Sequence, residues 1–368
     1  MADLRDMERD RVKKHEALND KRIVITGGTG SLGQVLVRRL LTGEMGRPAQ
    51  IVVFSRDEAK QHQMRLDYRH LARATDEIIF HDSEELLQFR IGDVRDFASV
   101  SAVLRDADIV FNAAALKQVP TCEYFPFEAV RTNIVGPENI VNAVEQHSLP
   151  VETVVGISTD KACKPVNVMG MTKAIQERIF INANLRCRDT RFVCVRYGNV
   201  LASRGSVIPL FREQIRAGGP LTITTPEMTR FLLSLDDAVD VMFAAVRTAD
   251  AGETFIPRVP AARVTDVAAV MIGRRKIEMV VTGIRPGEKV HEILVSEEEA
   301  HRTIERSAKY YSILPILPEV RAAGGVEKAL EHEYSSADSL MARAELKELL
   351  DRHLLTDVER EEHGELLA

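Results

Sequence analysis

Four clusters in this chain carry residue types that can do chemistry. Ser158-Thr159-Asp160-Lys161 sets a carboxylate beside an amine, a pairing suited to acid and base work on neighbouring atoms. Met169-Gly170-Met171-Thr172-Lys173 brings a second lysine shortly after it. Ala113-Ala114-Ala115-Leu116-Lys117 is small enough along its first residues for a ribose to pass close to the backbone. Thr26-Gly27-Gly28-Thr29-Gly30-Ser31-Leu32-Gly33 is a glycine turn of the kind that cradles a pyrophosphate, with free N–H groups at the helix that follows.

These clusters need a scaffold, and the pattern around them supplies one. Ile23-Val24-Ile25 reads as a short buried strand, and Leu32, Val35, Leu36 and Leu40 after the glycine turn recur at helical spacing. Further strands are expected at Ile51–Phe54, Leu87–Ile91, Ile109–Phe111, Val154–Ile157 and Phe192–Val195, with a polar helix from Arg56 to about Ala74 and a small excursion from Ser83 to Leu87. Strands alternating with helices predict an α/β fold, a Rossmann-type doubly wound parallel sheet. Ligands of such sheets sit outside the C-terminal strand ends, where the reactive clusters fall.

The expected organisation is a polar N-terminal arm over 1–20, a cofactor-binding Rossmann domain over 21–200, a smaller substrate-binding lobe over 201–358 and a loose tail over 359–368. The lobe is punctuated by prolines and closed by an amphipathic helix carrying Leu340, Leu346, Leu349, Leu350 and Leu354. The arm is either a loosely docked helix or a segment touching a neighbouring subunit.

The 368 residues carry 49 Lys plus Arg against 55 Asp plus Glu, a net charge of −6, so a nucleic-acid coat has no support. With 45% apolar and 28% charged residues, the chain is neither disordered nor collagen-like. Cys122, Cys163, Cys187 and Cys194 form no C-x-x-C pair, which points away from a metal site and suits a reducing cytoplasm. No apolar run is long enough to span a membrane, and the N-terminus has no signal-peptide core. A soluble cytoplasmic protein is therefore expected.

The second strand ends Phe54-Ser55-Arg56-Asp57. Ser55 and Arg56 suit the 2′-phosphate of NADP, while Asp57 keeps NAD possible. Asp93-Val94, closing the third strand, is placed to meet the adenine, or else Asp93 caps the next helix.

The layout resembles the extended short-chain dehydrogenase/reductases that act on nucleotide sugars. Their Tyr-x-x-x-Lys is matched at Lys173 but not at Met169. One branch is more similar still, the UDP-N-acetylglucosamine 4,6-dehydratases of polysaccharide biosynthesis, including the C5-inverting capsule type. The resemblance runs through Ala114–Glu123, Ser158–Ala162, Asn167–Gly170, Arg196–Val200, Ser203–Ser206, Met228–Phe231 and Arg285–Lys289, and spans roughly residues 20 to 315. Several members share the methionine.

That resemblance implies oxidation at C4 of the sugar, loss of the C5 proton and the C6 hydroxyl, and return of the hydride to C6. It makes Lys161 the candidate base at C5, with burial and cationic Lys173 expected to lower its pKa toward neutrality. Asp160 becomes the candidate acid at C6, Thr159 a hydrogen-bond partner of the C4 hydroxyl, and Lys173 the holder of the nicotinamide ribose. The cofactor would lie along Thr26, Gly27, Gly30, Ser31, Leu32, Gly33, Ser55, Arg56, Asp93, Val94, Ala113–Ala115 and Tyr197. Lys117, Asn199, Arg204, Arg230, Arg285 and Glu288 would bind the substrate, UDP-N-acetylglucosamine. Glu123 is expected to be structural, and His291 a satisfied histidine of the lobe. The family pattern also implies a homo-oligomer, a hexamer by resemblance. Other readings stay open: a C5-retaining enzyme, another nucleotide such as GDP, a sugar-nucleotide 4-epimerase, or an NADP sensor without catalysis.

Overall fold

The computed structural model describes residues 16–74, 85–201, 206–321, 327–353 and 355–356. Six strands arise from runs rich in β-branched and aromatic residues or, in β3, from apolar residues alternating with polar ones: β1 (Arg22–Thr26), β2 (Gln50–Ser55), β3 (Leu87–Ile91), β4 (Ile109–Asn112), β5 (Thr153–Ile157) and β6 (Arg191–Val195). They pair in parallel in the order β3-β2-β1-β4-β5-β6.

Alternation along each strand builds two cores from one sheet. Ile23, Ile25, Ile51, Val53, Ile109, Phe111, Val155, Val193 and Val195 face one side. Val24, Val52, Phe54, Val110, Val154, Phe192 and Cys194 face the other. Burying each such side chain contributes about 1.5–3 kcal/mol before chain entropy is charged against it.

The sheet does not stop at residue 200, as the expected domain division had it. Thr254–Pro257 pairs in parallel with β6, and Tyr310–Ile313 and Thr303–Ser307 extend the edge by antiparallel pairing, making nine strands. The helix Leu235–Thr248 sends Val239, Val241, Met242 and Phe243 into the first core. What remains of the expected lobe has its own core, including Ile208, Phe211, Leu221, Val267 and Met271. The closing helix is Arg343–Arg352, held there by Leu346 and Leu350. Leu340 is exposed and takes no part in that face.

The expected arm is also revised in part. Leu18 is fully buried and its N–H donates to the Met45 carbonyl, so the end of the expected arm is pinned to the core by that one side chain, with Ala17 packed beside it. Residues 1–15, Ser83, Leu354 and the expected tail lie outside the described residues. Among the described residues, no helix is long and apolar enough to cross a membrane.

Candidate active site

The sheet's switch point lies between β1 and β4, and the site is built at the C-terminal ends of the strands around it. Gly27 has φ of +68°, and a Cβ there would sit 2.8 Å from Ala114 Cα. Glycine is what lets the turn lie against Ala113 and Ala114 at the end of β4. Thr26 Oγ1 donates to Asn112 Oδ1 at 2.8 Å and accepts from the Ala114 N–H, so it ties β1 to β4.

The helix Ser31–Leu41 opens on Gly30 with no side-chain cap, and its first turn holds Ser31, Leu32 and Gly33. An eleven-residue helix starting this way offers backbone donors and a positive dipole end to a pyrophosphate. The cradle therefore fits a dinucleotide.

At the end of β2, Ser55 is buried and bonded to Thr29 and Gln61, while Arg56 is exposed with its guanidinium 3.9 Å from Asp93. Asp57 accepts from the Lys60 N–H and caps the polar helix, which begins at Glu58 rather than Arg56. Asp93 is not a helix cap, since Asp96 does that work by accepting from Ser99 N. Arg95 grips Asp93 through both carboxylate oxygens. Burial works to raise the Asp93 carboxyl, but Arg95 and Arg56 outweigh it and hold it below the ordinary range. Val94 is buried against the helix Gly136–His147, whose Asn139 donates to the Val94 carbonyl.

Asn133, missed in the sequence, secures the β4 loop. Its amide accepts from Leu116 N and donates to Leu116 O and Thr172 Oγ1. It sits on a π-turn, Arg131–Val135, a local irregularity often found at functional sites. Lys117, just beyond, is exposed.

The helix Val168–Arg186 forms the next wall. Asn167 caps it by accepting from Gly170 N, and Glu123 accepts from Val168 N, the structural part expected of it. Its buried stripe is Met169, Thr172, Lys173, Gln176, Glu177 and Phe180. A Cβ on Gly170 would lie 2.1 Å from the Lys161 carbonyl oxygen, so glycine lets the helix press against the reactive segment. Lys173 Nζ donates to Ile157 O and Gln176 Oε1, both at 2.8 Å. Burial pushes its amine down to about 8. Met169 is buried with Cys122 and Ala129 in an apolar cluster.

The reactive segment follows β5 directly. Asp160 is 0% exposed. Its Oδ1 accepts from Thr159 Oγ1 at 2.9 Å and Lys161 Nζ at 3.0 Å, and its Oδ2 has no partner among the described residues. Thr159 Oγ1 also accepts from the Lys161 N–H at 3.4 Å, and its second lone pair is left to accept from a sugar hydroxyl. Asp160 N donates to the carbonyl of buried Tyr197, fixing the segment to the end of β6.

Lys161 departs from expectation. Its ammonium lies 3.0 Å from Asp160 and 3.5 Å from Glu292, which the sequence reading had not singled out. Burial alone would lower the amine, but attraction by Asp160 and Glu292 outweighs it, and the net direction is up. The expected downward shift falls on Lys173 instead. Glu292 is buried, its Oε1 is 3.7 Å from Arg230 Nε, and its Oε2 has no partner among the described residues. Arg230 also donates to Thr229 O and Val290 O, so it faces this cluster. His291, next in sequence, bonds Thr229 Oγ1 at 2.8 Å and is satisfied as expected.

Behind this cluster, buried Arg196 pairs with Glu177 and Glu299 through four hydrogen bonds and donates a fifth to Leu294 O. Ser158 Oγ also donates to Glu177. β6, the Lys173 helix, the reactive strand end and the C-terminal segment are locked together through one guanidinium.

On the substrate side, Asn199 Oδ1 and Glu288 Oε2 are buried without partners among the described residues. Asn167 Nδ2 donates to Gly287 O at 2.9 Å, docking the Arg285-Pro286-Gly287-Glu288 turn over the helix start, with Arg285 exposed. Arg204 lies outside the described residues.

A family profile of polysaccharide biosynthesis proteins matches residues 23–315. A UDP-N-acetylglucosamine 4,6-dehydratase (inverting) from Campylobacter jejuni is 38% identical over 345 residues, covering 90% of this chain and 97% of that protein. A protein named UDP-glucose 4-epimerase from Rickettsia bellii is 43% identical over 301 residues, covering 80% of this chain and 83% of its own length. The solved structure of Pen from Bacillus thuringiensis superposes with a TM-score of 0.80 at 33% identity, covering 92% of this chain and 99% of that one. Other solved structures of the same fold hold NAD.

Proposed function

The chain belongs to the family of polysaccharide biosynthesis proteins, and from that premise we propose that it is a nucleotide-sugar 4,6-dehydratase. It converts UDP-N-acetylglucosamine to a UDP-4-keto-6-deoxy sugar with inversion at C5, for bacterial surface polysaccharide. The carrying observation is the Asp160–Lys161 pair, a buried carboxylate with one oxygen unpartnered beside an amine, at the strand end where substrate meets cofactor. An epimerase that only oxidises and re-reduces C4 has no use for such a pair. A protein that merely senses cofactor has none either.

A nicotinamide dinucleotide, when bound, supplies reversible hydride transfer. Lys161, as a neutral amine, takes the C5 proton acidified by the C4 ketone. Asp160, once it has taken up a proton for this step, gives it to the departing C6 hydroxyl. Lys173 has two of its three ammonium donors fixed by Ile157 and Gln176, which leaves one for the ribose. Asn199, Glu288, Arg285 and Lys117 hold the nucleotide diphosphate and sugar, Arg204 has the same part by family likeness alone, and Arg230 serves the reactive cluster. Met169 fills the tyrosine position as packing.

NADP is the dinucleotide this reading takes. Arg56 stands exposed at the end of β2, and Asp57, the residue suited to NAD, caps a helix. The protein works in the cytoplasm as a homo-oligomer, a hexamer by family likeness. Met171 and Ile175 are exposed one turn apart on the helix Val168–Arg186, and Phe127 is exposed on the Pro126–Val130 turn of helix that contacts it, which supports a subunit contact. Light scattering that returned a monomer at micromolar concentration would remove that part.

Mass and NMR analysis of the product from UDP-N-acetylglucosamine tests the whole. Expected is a product lighter by one water, with deuterium at C5 when made in deuterated water. A product of unchanged mass with C4 inverted would replace this reading with the epimerase.

A further inference from the structure

Glu292 comes from a segment about 130 residues beyond Lys161, yet its carboxylate stands 3.5 Å from the Lys161 ammonium. It is nearly sealed from solvent, and one of its oxygens has no partner among the described residues. The charged groups around Lys161 Nζ are Asp160 on its own segment, Glu292, and Arg230 on the neighbouring Thr229–Phe231 strand. Before the elimination step, with Asp160 as the carboxylate that accepts from Thr159 and Lys161, two carboxylates and two cations sum to zero. An amine set among them has its proton held, and an ammonium cannot act as a base.

The carboxylates are buried while the Lys161 side chain is 23% exposed, and once substrate covers it the cluster sheds a proton to solvent only by becoming net charged, which a closed site resists. Passing the proton from Lys161 to a carboxylate inside the cluster changes no net charge. Asp160 is committed as the acid for C6 and already accepts from Thr159. Glu292 has the spare oxygen.

We propose that Glu292 is the proton acceptor of Lys161, the carboxylate that takes the ammonium's proton when substrate closes the site. The inference rests on the dehydratase reading above. In the step, Lys161–NH3+ and Glu292–COO− become Lys161–NH2 and Glu292–COOH. The amine then takes the C5 proton, and the C–H bonding pair enters the enolate of the C4 ketone. C5 is reprotonated on its opposite face by a proton from water, and Glu292 gives its proton up to water as the site reopens, which restores Lys161–NH3+ and Glu292–COO−.

The test uses the cofactor-loaded protein with UDP-N-acetylglucosamine in deuterated water. Glu292→Gln keeps the shape and removes the acceptor. Exchange at C5 is expected to fall at least ~100-fold, while NADPH absorbance on substrate addition stays within about threefold of wild type. Glu292→Asp, which keeps a carboxylate, should recover part of the exchange. Exchange as fast as wild type, or faster, would overturn the proposal, because the carboxylate would then only restrain the amine. Equal loss of C4 oxidation and C5 exchange would also overturn it, by making Glu292 a structural support.

A substrate-free arm keeps the two readings separable. The Lys161 amine, followed by NMR of the labelled ε-methylene, should titrate at lower pH in Glu292→Gln than in wild type. An unmoved titration ends the proposal whatever the sugar. A wild-type protein inert toward UDP-N-acetylglucosamine, with the titration shifted, ends the dehydratase reading and leaves the coupling standing.

Discussion

The two halves of the site are made of different materials. The cofactor half, from β1 to β4, is backbone: a glycine turn against Ala113–Ala114, a helix start without a side-chain cap, and one threonine bridging two strand ends. The reactive half, from β5 to the C-terminal segment, is charge: Asp160, Lys161, Glu292 and Arg230 in front, and Arg196 with Glu177 and Glu299 behind. A backbone cradle binds whatever carries the right phosphates and is specified locally. A charge cluster sets protonation states and is specified only when distant segments meet. Perturbing the second half should therefore cost stability and catalysis together, and perturbing the first should cost cofactor affinity alone.

Arg196→Met tests the larger cost. It leaves two buried carboxylates, on the Lys173 helix and on the C-terminal segment, without their shared cation. Breaking a buried pair by removing one partner typically costs about 3–5 kcal/mol. Denaturant unfolding should show that loss, and a loss under about 1 kcal/mol would mean the network is solvated rather than structural.

Acid titration reads the same network from its other end. Burial would raise Glu299, but Arg196 outweighs it and draws the carboxyl down from the ordinary 4.5 to about 2. A depressed acid contributes stability that is complete above the unfolded value and lost as pH falls through the folded one. Stability should therefore drop by about 3 kcal/mol between about pH 4.5 and 2, and Glu299→Gln should remove that part of the slope. An unchanged slope in the variant would detach Glu299 from acid unfolding.

The smallest effect lies in the cofactor half. Arg56 is exposed, so Arg56→Ala should leave folding untouched and weaken NADP about tenfold while sparing NAD. Equal losses for both dinucleotides would take the 2′-phosphate away from Arg56 and blur the distinction between the halves.

The same contrast governs what could be read in the sequence. The six N-terminal strands are legible because five are compact runs of β-branched and aromatic residues and β3 alternates Leu87, Phe89 and Ile91 with polar residues, and the glycine turn because its chemistry is contiguous. The Asp160–Lys161 pair was legible because the two residues are neighbours. Glu292 was not: in His291-Glu292-Ile293 nothing marks the glutamate as buried, and only tertiary pairing brings it to Lys161. The pKa of Lys161 is expected in the wrong direction because burial and Lys173 are counted while the pull of Asp160, the larger one, and of Glu292 is not. The sheet's three further strands were missed for a related reason. Thr254–Pro257, Thr303–Ser307 and Tyr310–Ile313 are short, proline-flanked or polar, and gain their identity from partners far away.

The most direct test of the central claim is proton exchange at C5 in Lys161→Met, with Asp160→Asn beside it. Lys173 is untouched in both, so C4 oxidation should persist and NADPH absorbance should appear on adding UDP-N-acetylglucosamine. Lys161→Met should lose C5 exchange and product by ~10²–10⁴-fold, and Asp160→Asn should lose water elimination more than exchange. Near-normal dehydration by Lys161→Met would place the base elsewhere and contradict the assignment of this strand end.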